Sequence, residues 1–167
     1  TYLTGPKFGT KALISINKEA TEYVSIPSSA AFNFAKDDFS VEFWLMPFTH
    51  NSYLMHDDLD TLSGVRGAFA ILDSGYPALY IGASAQQASR TIDLAKWSHL
   101  AYSRKAGVFY IHLNGEQVLA TAIDSNFDLS QGTKILIGNG AYNGVPYPVN
   151  GMVDSIRITK GASRLDG

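Results

Sequence analysis

The sequence predicts an all-β protein, a two-sheet antiparallel jelly-roll sandwich with minimal helix, and three observations carry that prediction. Apolar residues recur with a period close to two almost throughout, in short runs rich in Val, Ile, Phe and Tyr. Gly, Pro, Asn, Asp and Ser punctuate those runs at close intervals. Nowhere do apolar residues hold a 3.6-residue period for three turns, so no helix is on hand to cover a sheet and two sheets must cover each other.

Taken in order, strands are expected near residues 11–17, 22–26, 39–48, 67–72, 78–82, 90–94, 98–104, 108–114, 116–123, 134–138 and 151–159. Residues 29–34 have room for one short helical turn. The segment Phe39, Val41, Phe43, Leu45 presents one apolar face, and Trp44 and Met46 make the other face apolar too, as in a central strand covered on both sides. Along 108–113, Phe109, Ile111 and Leu113 alternate with Tyr110 and His112. Asn114-Gly115 follows, the residue pair that a type I′ hairpin turn demands. In 151–159, Met152, Asp154, Ile156 and Ile158 share a face, so Asp154 points with apolar residues. Two long connections remain, 49–66 and 139–150. Connections above ~12 residues in a small domain are often functional.

A chain of 167 residues with 46% hydrophobic and 17% charged residues suits a single domain, 1–167, with one core. The charged fraction is below the usual ~25%, which argues against disorder. Net charge is −2 with scattered Lys and Arg, so no basic patch marks a nucleic-acid partner. No apolar run approaches the ~18–20 residues of a membrane-inserted helix. The absence of cysteine excludes a disulfide scaffold, a cysteine zinc site and thiol catalysis. The opening Thr1-Tyr2-Leu3 lacks a methionine and reads as the start of a processed or excised piece of a longer chain.

The order of the motifs is familiar. Phe8-Gly9-Thr10-Lys11-Ala12-Leu13, Tyr23-Val24-Ser25-Ile26-Pro27 and Asp38-Phe39-Ser40-Val41-Glu42-Phe43-Trp44-Leu45 come first. Trp97-Ser98-His99-Leu100-Ala101-Tyr102-Ser103-Arg104, then Tyr110-Ile111-His112-Leu113-Asn114-Gly115, and finally Gly151-Met152-Val153-Asp154-Ser155-Ile156-Arg157-Ile158 follow. This succession resembles the laminin-G-like, concanavalin A-like jelly-roll domains over nearly the whole chain. The closing Lys160-Gly161-Ala162-Ser163-Arg164 looks most like versions in tailed-phage virion proteins and related bacterial surface proteins. The resemblance implies a non-enzymatic virion module, a capsid decoration or a tail or fibre part. Its partners would be other virion proteins, as a homo-oligomer or on a capsid or tail protein, with a host surface glycan as a further partner. The alternative is a carbohydrate-binding domain of a secreted or cell-surface bacterial protein, at an extracellular location rather than in a virion. Fold alone does not choose between them.

The candidate chemistry is sparse. Glycoside hydrolysis needs two carboxylates facing each other across the sugar bond. The Glu-x-Asp-x-x-Glu strand of the glucanase relatives is absent, and Gly-x-Ser-x-Gly is absent too, so no enzyme is expected. Asp154 and Glu42 read as structural carboxylates, with Arg104, Arg157 or a loop backbone as partners. His99 reads as a strand histidine. No cofactor is required by the residues, but laminin-G-like domains often bind calcium through loop acids, and Asp57, Asp58 and Asp60 are candidate ligands. The competing reading of these three is a solvated acidic loop. His50 and His56 have no recognisable metal spacing. For a ligand or partner, Tyr142, Asn143, Tyr147 and Asn150 are the candidates: tyrosine faces stack on sugar rings and asparagine amides take hydroxyls. The competing reading packs these tyrosines on the sheet or on a neighbouring protein.

Overall fold

The computed structural model describes residues 6–10, 12–15, 23–59 and 66–164. In chain order its strands are β1 (Leu13–Ser15), β2 (Val24–Pro27), β3 (Asn33–Ala35), β4 (Phe39–Pro47), β5 (Ser52–Asp57), β6 (Gly67–Ile71), β7 (Pro77–Ile81) and β8 (Ser84–Gln87). They continue with β9 (Ser98–Lys105), β10 (Val108–Leu113), β11 (Glu116–Ala122), β12 (Phe127–Asp128), β13 (Lys134–Ile137), β14 (Ala141–Tyr142), β15 (Val145–Pro146) and β16 (Gly151–Lys160). The expected helical turn is a 3-10 turn at Ala30–Phe32, with the Ser29 hydroxyl accepting from the Ala31 N–H at its start.

Sheet I has the order β1-β16-β4-β9-β10-β11 and sheet II the order β2-β13-β5-β6-β7-β8, with antiparallel pairing throughout. The inner faces of the two sheets cover each other, as the two-sheet sandwich requires. Their shared core is aromatic. Phe39 stacks on Phe34 at 4.5 Å and on Phe127 at 5.3 Å, and Phe69 of sheet II meets Tyr102 of sheet I at 4.6 Å. Gly67 is required for this closeness, because a Cβ there would lie 2.0 Å from the Phe127 ring. The Asn114-Gly115 hairpin forms as expected, with φ of 54° and 83°, and Phe109, Ile111 and Leu113 point to the core. β4 is buried on both faces at every position except Trp44, which is only half-buried.

Three expectations change. Residues 90–94 form no strand. Ile92 alone enters the core, its N–H donating to Gly75 O, and the sheet edge is built instead from β8. The connection 49–66 contains β5, all six residues of which are buried in the middle of sheet II. Alternation cannot reveal such a strand, since both faces are covered, and a bulge between Tyr53 and Met55 breaks its register as well. The connection 139–150 contains the small hairpin β14–β15, turned by Asn143 and Gly144 at φ of 51° and 77°.

The shared face expected in β16 is also corrected. Val153 pairs with Leu45 and Asp154 with Trp44, but the next registered pair is Arg157 with Glu42, so β16 carries one extra residue. The bulge switches the phase of the strand. Val153 and Ile158 pack on the core, while Asp154 and Arg157 face outward. Arg157 grips Glu42 with Nε at 3.1 Å and Nη2 at 2.7 and 2.8 Å, and Asp154 accepts the Phe8 N–H at 3.0 Å. Arg104 serves neither carboxylate. It points inward, is 2% exposed, and donates Nη1 to the carbonyls of Ala35 and Ser125.

Burial pushes the pKa of His99 below 6.5, with Glu42 opposing and Arg157 reinforcing the shift, and burial acts on His112 in the same direction with His99 adding to it. Both histidines therefore bind a proton less readily folded than unfolded. The stability they confer is complete above the unfolded pKa of about 6.5 and is lost as pH falls through the lower folded values. Urea midpoints measured between pH 8 and pH 5 should fall on the acid side, and His99→Gln with His112→Gln should flatten that limb.

Candidate functional site

On the outer face of sheet II, positions that point away from the core are small. Ala70 of β6 lies between Tyr53 of β5 and Ala78 of β7 in register, and Ala68 pairs with Tyr80. Large residues on the inner face and alanines on the outer one give a shallow bed in which aromatic rings lie against the sheet. Tyr53, Tyr80 and Tyr147 pack over Ala68 and Ala70. Tyr80 meets Tyr53 edge-on at 5.8 Å, Tyr147 meets it edge-on at 5.5 Å, and His56 stacks on its other side at 5.1 Å.

The β14–β15 hairpin supplies the wall of this bed. Its segment is tied to β5 by backbone hydrogen bonds, Tyr53 N–H to Tyr147 O at 2.8 Å and Gly138 N–H to Leu54 O at 2.9 Å. Gly140 makes the approach possible, since a Cβ there would lie 2.8–2.9 Å from the Tyr53 side chain. The result is a cleft of about 130 Å³ bounded by Asn51, Ser52, Tyr53, Tyr80, Tyr142 and Tyr147, over the alanine bed. A recess of about 250 Å³ adjoins it through Tyr53, Tyr80 and Tyr142. Burial raises the Tyr53 and Tyr80 phenols above their ordinary pKa of 10.0, and the neighbouring tyrosines add to the shift. These hydroxyls stay protonated at neutral pH and are available as hydrogen-bond donors and acceptors.

Of the sequence-predicted ligand residues, the structure brings Tyr142 and Tyr147 together. Asn143 sits at the hairpin turn, exposed, and Asn150 lies at the loop base with its carbonyl accepting the Phe48 N–H; neither lines the cleft. Tyr53 and Tyr80 were missed. The signal that could have found them is the run of alanines 68, 70, 78 and 85 alternating with large residues, which marks an outer face that something else must cover.

The acidic cluster is placed differently. Asp57 is 1% exposed and bound by Arg66, Nη2 at 2.5 Å and Nε at 3.2 Å. Asp58 accepts the Thr133 hydroxyl and the backbone N–H groups of Thr133 and Lys134. Its partial burial opposes ionisation, but these hydrogen bonds together hold its carboxyl below the usual range. Asp60 lies outside the described residues. Asp57 and Asp58 thus serve different partners, and among the described residues no group of three acids or histidines is placed to hold a metal. No helix among the described residues is long and apolar enough to cross a membrane.

The family model of the concanavalin A-like lectin/glucanases superfamily matches residues 18–164. Among solved structures, domain 4 of AbnA, an extracellular arabinanase from Geobacillus stearothermophilus in complex with arabinotriose, superposes with a TM-score of 0.68 at 16% identity, over 95% of this chain and 74% of that one. A Bacteroides ovatus protein described as carbohydrate-binding has a TM-score of 0.66 at 18% identity, over 81% of this chain but only 40% of its own length. The carbohydrate-binding module of a Ruminococcus gnavus sialidase, bound to α2,3-sialyllactose, has a TM-score of 0.61 at 13% identity, over 81% of this chain and 88% of that one. No curated protein sequence matches the chain. At these identities the likeness establishes the fold. The virion setting suggested by the closing segment finds no support in these three relatives.

Proposed function

We propose that this chain, which belongs to the concanavalin A-like lectin/glucanases superfamily, is a non-catalytic module that binds uncharged glycans in the tyrosine cleft of sheet II, outside the cell. The convergence of four tyrosines from three separate stretches of chain, over a bed of alanines and outside the core, carries this reading. A tyrosine ring offers a flat apolar face to the C–H side of a sugar, and its hydroxyl offers a polar edge. Asn51 and Ser52 add uncharged hydrogen-bonding groups at the rim.

The lining of both recesses holds no Asp, Glu or His, so it supplies no general acid or base for glycosidic cleavage. It holds no Lys or Arg either, so nothing there compensates the charge of a sialic or uronic acid. The extracellular location follows the substrate class, and the arabinanase relative is itself extracellular.

Isothermal titration with arabinotriose and a panel of neutral oligosaccharides tests the reading, with α2,3-sialyllactose as the charged comparison. A neutral ligand should bind, and Tyr80→Ala combined with Tyr142→Ala should weaken it at least tenfold, about 1.4 kcal/mol or more. Unchanged affinity in the double variant would place the site elsewhere.

A further inference from the structure

The outer face of sheet I, on the opposite side of the sandwich, carries a recess of about 370 Å³ lined by Glu42, Trp44, His99, Ser155, Ile156 and Arg157. We propose that this recess is a second, independent binding site for one uncharged sugar ring.

Strand register assembles it. Trp44 lies between Asp154 and His99, and Glu42 pairs with Arg157. The bulge of β16 opens one side. There Ser155 adopts a positive φ of 52°, a strained conformation for a non-glycine residue of the kind that gathers at functional sites, and Ile156 is left 37% exposed. The indole of Trp44 and the imidazole of His99 stand 5.3 Å apart at 52°, forming the two walls of an aromatic corner. Lys7 Nζ also stands 4.1 Å from the indole centroid, and the Phe8 ring meets the indole edge-on at 5.8 Å.

The polar groups set the charge of the ligand. Glu42, 5% exposed, takes Nε and Nη2 of Arg157, and neither of those bonds uses Nη1. Among the described residues the His99 ring makes no hydrogen bond; its Nε2 stands 3.7 Å from Glu42. The depressed pKa keeps the imidazole neutral at pH 7, with one donor and one acceptor to offer. Glu42 and Arg157 cancel each other. The one acid and the one guanidinium of the lining are bonded to each other, so neither charge is left to compensate an ionised sugar. A neutral ring with hydroxyls on its edge and C–H groups on its face fits an aromatic corner with these donors.

Trp44 reports on its own site. The chain has two tryptophans, Trp44 and Trp97, and the tyrosine cleft contains neither. In a Trp97→Phe variant, indole emission is therefore read from Trp44 alone. Titration with arabinotriose, cellotetraose and α2,3-sialyllactose should give a saturable emission change with a neutral sugar. That change should survive Tyr80→Ala/Tyr142→Ala, weaken at least tenfold in His99→Ala, and weaken likewise in Ile156→Asp, a second variant at an exposed position. Calorimetry should give two sites per chain, falling to one when either set is altered. No emission change with either neutral sugar, a response to sialyllactose alone, or a response abolished by the tyrosine variants would each overturn the proposal. The last outcome would leave the tyrosine-cleft reading standing.

Discussion

Replacing Asp57 with alanine should lower the unfolding free energy by about 3–5 kcal/mol, because it leaves a buried guanidinium without its counter-charge. Arg66 is 6% exposed and directs Nε and Nη2 at the Asp57 carboxylate, with a further bond from Nη2 to Leu59 O at 3.1 Å. Water cannot replace the lost carboxylate at such a depth without opening the end of β5. Urea unfolding in EDTA, followed by tryptophan emission, measures the loss. Arg66→Ala should cost a similar amount, since it strands Asp57. Asp57→Leu combined with Arg66→Met should recover most of the stability, because an apolar pair carries no desolvation cost. Asp57→Ala also tests the calcium alternative for Asp57: a loss of stability that appears only when calcium is present would make this acid a ligand rather than a counter-ion.

Phe39→Ala should cost about as much, ~3–5 kcal/mol, by a different route. Phe39 is wholly buried at the start of β4, in stacked contact with both Phe34 and Phe127 and edge-on to Phe109 at 6.1 Å. Truncation removes the ring at the centre of this cluster, and the surrounding rings belong to β3, β10 and β12, whose backbones are held by their own ladders. They cannot move in to fill the space, so the cavity penalty is felt in full. Phe39→Leu should recover roughly half. A midpoint for Phe39→Ala within a degree or two of the parent would mean that the cluster repacks freely.

The parts of the fold that were legible are those with one face in the core and one outside. β10 and β11 with their Asn-Gly turn show alternation and punctuation together, and the apolar second face of β4 shows at Trp44 and Met46, of which Met46 is buried and Trp44 only half-buried. β5 was illegible for the opposite reason. Its central place in sheet II erases the contrast between faces, and its His56 and Asp57 look like surface residues until the stacking on Tyr53 and the pairing with Arg66 are seen. In β16 the alternation was read straight through the bulge, which no local signal marks, so Asp154 was assigned to the wrong face. Half of the tyrosine cleft was visible as an aromatic loop. Tyr53 and Tyr80 were not, because proximity across sheet II is a property of register rather than of sequence.

The pairing of β4 with β16 has a consequence for how the chain reaches this state. The two strands make the most extensive ladder contact in sheet I, yet Phe39 and Lys160, partners in register, lie about 120 residues apart in the sequence. β1 then needs β16 to pair at all. β4 and β9–β11 can pair before β16 is available, but sheet I cannot be completed until β16 joins them and takes up β1. Non-local β topologies of this kind fold on the order of milliseconds to seconds, because a long loop must be closed before any contact rewards it. The finished sandwich thus hangs on the strand that follows all the others in the described chain, and deleting β16 would leave β1 and one edge of β4 unpaired together.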